Sequence, residues 1–160
     1  AGFVAWRQLG LAARQEAERD ARHNLDRISY SSEWQAQRRV FLKLRSKLQS
    51  GEIESAAFAA RLIARLDTGA FEEEIQSFRV MMNHYEVISI GIESGAYSGS
   101  IYKRFLRGQF KKDWLAMYPT INELRRLDNN PLIFIEAQKL AEAWQIKFND
   151  EHSPNSNAQE

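Results

Sequence analysis

The sequence predicts an all-α fold, a single bundle of about five to six helices, and three observations carry that expectation. Long stretches rich in Ala, Glu, Gln, Arg and Leu favour helix, and the three prolines, Pro119, Pro131 and Pro154, all fall in the last third of the chain. Apolar residues recur at spacings of three and four along most of its length, which is the period of a helix with one buried face. Breaks at Ser50-Gly51, Asp67-Thr68-Gly69 and Gly95 cut this pattern into pieces of helical size. A chain of 160 residues, 44% apolar and 27% charged, is long enough for one core and has the composition of an ordinary globular domain.

Residues 1–30 read as an N-terminal helix beside a membrane. Leu9, Ala13, Ala17, Ala21, Leu25 and Ile28 form a thin stripe, too narrow to make a core alone, so this helix needs a partner helix or a support next to a bilayer. Ala1 to Trp6 is apolar and is followed by Arg7, the order in which a transmembrane helix leaves on the cytoplasmic side. So short a run cannot span, since a crossing takes roughly 20 residues. The expectation is therefore either an anchor upstream of Ala1, with the domain on the cytoplasmic side of a membrane, or simply the start of a helix.

Residues 31–148 read as the bundle. Ser32 and Gln35 have capping-box spacing and open a helix to about Gln49, whose buried side is Trp34, Val40, Phe41, Leu44 and Leu48. Arg38, Arg39, Lys43, Arg45 and Lys47 fill much of the remainder. Counting from the N-terminal helix, a third covers Ile53 to Leu66 with Phe58, Leu62 and Leu66 in register. The central buried helix spans about 71–93, opening on Glu72, Glu73 and Glu74, where negative charge suits a helix N-terminus. Phe78, Met81, Met82, Tyr85, Ile88 and Ile92 give it one apolar face, and Val80, Val87 and Ile90 another; a helix apolar on two sides is normally enclosed by others.

A long pattern then runs from Ile101 to Leu127, but its apolar face shifts. Ile101, Tyr102, Phe105 and Leu106 share one side, and Phe110, Trp114, Met117, Tyr118 and Ile121 nearly the opposite one. That predicts a break near Gly108 or a helix that changes neighbours along its length, with Pro119 a possible kink. Pro131 suits the first turn of a last helix ending near Phe148. Residues 149–160 read as a flexible polar tail.

Chemistry is sparse. The chain has no cysteine, which removes disulfides, thiolate metal sites and thiol nucleophiles. With 22 basic and 21 acidic residues the net charge is +1 and the signs are mixed, so there is no nucleic-acid footprint. His23, His84 and His152 lack metal-ligand spacing, and no cofactor is implied. Ser100-Ile-Tyr-Lys103 matches S-x-x-K without its companion motifs.

Two groupings remain. Asn83 and Glu86 share one side of the central helix among apolar residues, and a carboxylate there needs a partner. Arg125, on the stripe of Trp114, Tyr118 and Ile121, supplies one, with Arg104 the alternative. Asn83, Glu86 and Arg125 thus read as a buried polar lock and not as a catalytic set. Ser98 and Ser100 open the fifth helix ahead of Lys103, Arg104, Arg107 and Lys111, so this helix start is a candidate anion-binding site, against a plain solvated face.

The order Asn83-x-x-Glu86, Ile90-Gly91-Ile92, Gly95-x-Tyr97, a basic helix, Trp114 and Ile121-x-x-x-Arg125 resembles the bacterial family called domain of unknown function 4760. Asn24 to Ile28 and Arg38 to Arg45 look like its front half. The resemblance covers roughly Asn24 to Trp144. It implies a membrane helix followed by a cytoplasmic helical domain, with no assigned activity, and it makes Asn83, Glu86, Gly91, Trp114 and Arg125 family-typical. Ser98-Gly99-Ser100 departs from the acidic helix start that the resemblance implies. The expected function is a non-enzymatic cytoplasmic domain acting by protein contact or self-association. The alternative is a sensor of an anionic ligand such as a nucleotide second messenger.

Overall fold

In a computed structural model, Arg19, His23 and residues 31–64, 69 and 71–147 are described. They contain five α-helices and no strand: α1 (Ser32–Ser50), α2 (Ser55–Ala64), α3 (Glu72–Glu93), α4 (Gly99–Leu127) and α5 (Ile135–Ala143). The expected helix over residues 1–30, apart from Arg19 and His23, and the expected tail over 149–160 lie outside the described residues.

Each boundary has a local cause. Ser31, and not the expected Ser32, caps α1: its backbone is extended and its hydroxyl accepts the Trp34 N–H at 3.2 Å. Gly51 stops α1 in the left-handed region at φ 76°, and the chain folds back so that the Ile53 N–H reaches Lys47 O at 3.1 Å. The end of α3 closes in the same way, with Gly95 at φ 77° and the Tyr97 N–H on Gly91 O at 2.9 Å. Both closures return an apolar side chain to the bundle.

The starts of α3 and α5 are less ordinary, because Phe71 (φ 78°) and Phe134 (φ 53°) are left-handed and cap without side-chain hydrogen bonds. A bulky residue there costs about 1–2 kcal/mol. Ring packing offsets it: Phe71 meets Phe58, Phe58 meets Phe78, and Phe78 meets Phe134, all edge to face at 5.7–6.4 Å. Pro131 does not begin the last helix. Residues 131–134 form turns, and α5 starts only after Phe134.

The helices pack as two interlocked sets. α3 lies between α1 and α5, while α4 packs on α2 and, more lightly, on α1. The core joins Phe41 and Leu44 of α1, Phe58 of α2, Phe78 to Ile88 of α3, Phe110 to Leu124 of α4, and Ala137 to Ala141 of α5. α4 is unbroken through both Gly108 and Pro119, so its shifting apolar face reflects a change of neighbours and not a break. Phe105, expected on the buried side with Ile101, is 59% exposed. The side of α3 bearing Val80, Val87 and Ile90 is likewise not enclosed by the described helices: Val87 and Ile90 are 54% and 52% exposed.

Gly91 and Gly108 are both helical, and the structure gives them opposite tolerances. A Cβ on Gly91 would stand 2.2 Å from the Tyr97 ring, which lies across the helix there and stacks on Tyr102 at 5.0 Å; one on Gly108 meets nothing within 4 Å. Gly91→Ala is expected to lose about 1–3 kcal/mol by overpacking, and Gly108→Ala to gain up to about 1 kcal/mol from helix propensity. Urea melts of the two variants check this; equal effects of the same sign would refute the assignment.

Candidate functional site

The polar centre of the bundle is Asp113, and the sequence reading passed over it. Asp113 sits in the apolar stripe of α4, between Phe110 and Trp114, and is fully buried. Arg38 and Arg45 are seven residues apart on α1 and therefore share a face, separated by buried Phe41. Arg38 Nη1 donates to Asp113 Oδ2 and Arg38 Nη2 to Oδ1 at 3.2 Å, while Arg45 Nη1 donates to Oδ1 at 2.7 Å. From α3, the Tyr85 hydroxyl donates to Oδ2 at 2.6 Å and accepts from Gln109 Nε2 at 3.3 Å. One carboxylate thus ties α1, α3 and α4 together. The sequence places Arg38 and Arg45 outside the apolar side of their helix; the structure turns both inward, leaving 15% and 22% of their side chains exposed.

Energetics follow from the count of partners. An ionised carboxylate offers about four acceptor positions, and four donor contacts meet Asp113. All four contacts come from helices of the bundle. Burial, and then the Asp113 carboxylate, push the Tyr85 phenol well above its ordinary range, so it remains a protonated donor. His84 packs against Trp34 at 4.4 Å between ring centroids. Burial first and the Arg38 charge second lower its pKa to about 4, which keeps it neutral near pH 7.

The expected lock at Asn83, Glu86 and Arg125 is arranged differently. Asn83 is exposed. Among the described residues, no ion pair joins Glu86 to Arg125 or to Arg104. Glu86 and Arg125 instead meet the same target, the start of α5, which lacks a side-chain cap of its own. Glu86 Oε1 accepts the Ala137 N–H at 2.5 Å, acting as a cap supplied from α3. Arg125 Nε donates to Ile133 O at 2.9 Å and Nη1 to Gln138 Oε1 at 2.7 Å. Burial raises the pKa of Glu86, as does the neighbouring Glu136 carboxylate, while the Ala137 N–H and Arg125 oppose the shift.

The candidate anion site is divided. Ser98 and Ser100 hold their hydroxyls 3.2 Å apart at the start of α4, and Ser98 makes no side-chain cap. Lys103, Arg104 and Lys111 are exposed, but Arg107 is committed elsewhere, its Nε donating to Trp144 O at 3.0 Å just past α5. An open cleft of about 240 Å³ lies at the far end of the bundle, where Arg79 and Asp128 are its charged lining beside Leu62, Phe78 and Phe134. Among the described residues no group of acidic and histidine side chains could hold a metal ion, and no helix is long and apolar enough to cross a membrane.

Comparison with known proteins places the chain by family. The family model "Domain of unknown function (DUF4760)" matches residues 1–144. No curated protein and no solved structure matches the chain.

Removing the Asp113 carboxylate leaves two guanidiniums facing each other in a largely dry site. Asp113→Ala is therefore expected to cost about 3–5 kcal/mol, and Tyr85→Phe about 1 kcal/mol, both read from urea melts; an Asp113→Ala loss below that of Tyr85→Phe would refute the anchor.

The lowered His84 pKa fixes a sign. Between about pH 6.5 and 4 the unfolded chain takes up a proton at His84 and the folded one does not, so stability falls as pH drops through that window. The raised Glu86 pKa acts oppositely, favouring the fold at lower pH. His84→Gln is expected to flatten the decline in melting temperature between pH 6.5 and 4, and an unchanged pH profile would refute the burial of this ring.

Proposed function

We propose that this chain, which belongs to the family Domain of unknown function (DUF4760), is a helical docking domain that acts by protein contact and not by catalysis. The observation that supports this is the outward stripe of α3, where Val87 and Ile90 are more than half exposed on the helix whose other side forms the core. Val80, about two turns before Val87 on that side, is half-buried. Such a stripe, with apolar residues at helical spacing, suits the apolar face of another helix. Burying the exposed parts of Val87 and Ile90 is worth about 1 kcal/mol each, enough to bias an encounter without making the domain insoluble alone.

The polar residues also support contact over chemistry. Asp113, Tyr85 and Glu86 spend their hydrogen bonds on holding helices, which gives α3 a fixed position from which to present a face. The proposal includes a position at the cytoplasmic face of a bacterial inner membrane, supported by the Ala1 to Arg7 sequence alone. Sensing of an anionic ligand at Ser98, Ser100, Lys103 and Arg104 has less behind it, because Arg107 is bound to Trp144.

These 160 residues contain no cysteine, so a single introduced thiol reports on one position among them. In the cells that make the protein, Val87→Cys is expected to react with a maleimide at least about tenfold more slowly than Leu132→Cys, a reference at a residue 66% exposed. Equal rates would mean that nothing docks on α3.

A further inference from the structure

We infer that the outward face of α4 around Gly108 lays this domain against an anionic lipid surface. The inference rests on neither the α3 stripe nor the Ala1 to Arg7 sequence. Its first support is the distribution of charge. The chain as a whole is nearly neutral, but from Ser94 to Asn122 its one acidic residue is Asp113. That carboxylate is buried and held by Arg38, Arg45 and Tyr85. Arg104, Lys111 and Lys112, from the same span, are exposed, and among the described residues none of them makes an ion pair. α3 opens on three glutamates, whereas α4 has no acidic residue in its first turn. The positive end of the α4 dipole is therefore uncompensated and adds to the same field.

The second support is the ring among these charges. Arg104 and Lys111 are seven residues apart, as are Phe105 and Lys112. The four thus form two parallel rows on one side of the helix, about 120° wide and roughly 12 Å long. Gly108 lies between the rows. A Cβ there would meet nothing within 4 Å, so among the described residues nothing covers the centre of the face. Phe105 is more than half exposed beside it, an apolar ring standing in water. Arg107 is not part of this face, because its Nε donates to Trp144 O.

The third support is the class of partner that satisfies both features at once. The headgroups of an anionic leaflet attract lysine and arginine near the surface, and the boundary beneath them takes up an aromatic ring. A helix lying flat meets both layers together. A helix that reads DNA needs polar side chains between its cations to reach base edges, and here the positions between them hold Phe105 and Gly108. A free phosphate would pair with the cations and leave the ring in water.

The test is co-sedimentation of the purified 160-residue chain with phosphatidylcholine vesicles, with or without about 30% phosphatidylglycerol. Binding is expected to be at least about tenfold stronger to the anionic vesicles, and to weaken about fivefold for each of Arg104→Gln, Lys111→Gln and Lys112→Gln. Phe105→Ser is expected to weaken it about tenfold. All four positions are exposed, so the variants keep the fold, and residues 1–30 are the same in each, so the losses report on α4. A polarity-sensitive dye on Phe105→Cys is expected to shift to the blue on anionic vesicles, and one on Leu132→Cys, past the far end of α4, is not. Equal binding to both vesicle types, binding unaltered by the four substitutions, or equal dye shifts at positions 105 and 132 would each overturn the inference. So would displacement by inorganic phosphate at constant ionic strength, which marks a discrete anion site, or tighter binding to single-stranded RNA than to vesicles. Labelling at Val87 is independent of these measurements, so the α3 reading stands or falls separately.

Discussion

Three of the five helices are held in place by one buried carboxylate. Asp113 faces Arg38, Arg45 and Tyr85, and the apolar packing around it has its register set by that contact, because hydrophobic surfaces alone slide at small cost while a buried charge does not. Phe41 lies between the two arginines along α1, with the Arg38 guanidinium 5.4 Å above its ring, so the aromatic core and the ionic anchor occupy the same turns. The other two helices attach by different means. α2 is held by Phe58, Ala59 and Leu62, and α5 by the Glu86 and Arg125 contacts on its first turn.

The fold class was legible in the sequence because it depends on period and punctuation, which a single chain displays in full. Gly51 and Gly95 marked helix ends correctly, since only a residue without a Cβ enters the left-handed region freely. The start near Phe71 was legible from the glutamates that follow it, but Phe134 was not legible as a helix start, because it occupies that same region against its preference and is kept there by a ring from another helix. Glu86 and Arg125 were singled out as partners of each other, yet each reaches the start of α5, Glu86 its backbone and Arg125 its backbone and the Gln138 side chain. A side chain's inward direction follows from spacing, but its partner depends on which helix passes in front of it.

Asp113 was missed although its signal was present. An aspartate flanked by Phe110, Trp114 and Met117 breaks an apolar stripe, and arginines seven apart around Phe41 do the same on α1. Each interruption alone resembles the ordinary noise of a surface helix. Only together do they specify a charge-balanced contact, and pairing them requires knowing that α1 and α4 touch. Asn83 failed for the complementary reason: its neighbours Val80, Val87 and Ile90 are apolar, but the face they form is open.

Asp113 also lies at the midpoint of α4, as far from Gly99 as from Leu127. At 1.5 Å per residue that helix is a rod of about 43 Å, gripped at its centre. Both halves of the rod are bedded in the core as well, through Ile101 and Tyr102 on one side of that grip and Ile121 and Leu124 on the other, so the helix is clamped along its length and the buried charge fixes its axial position.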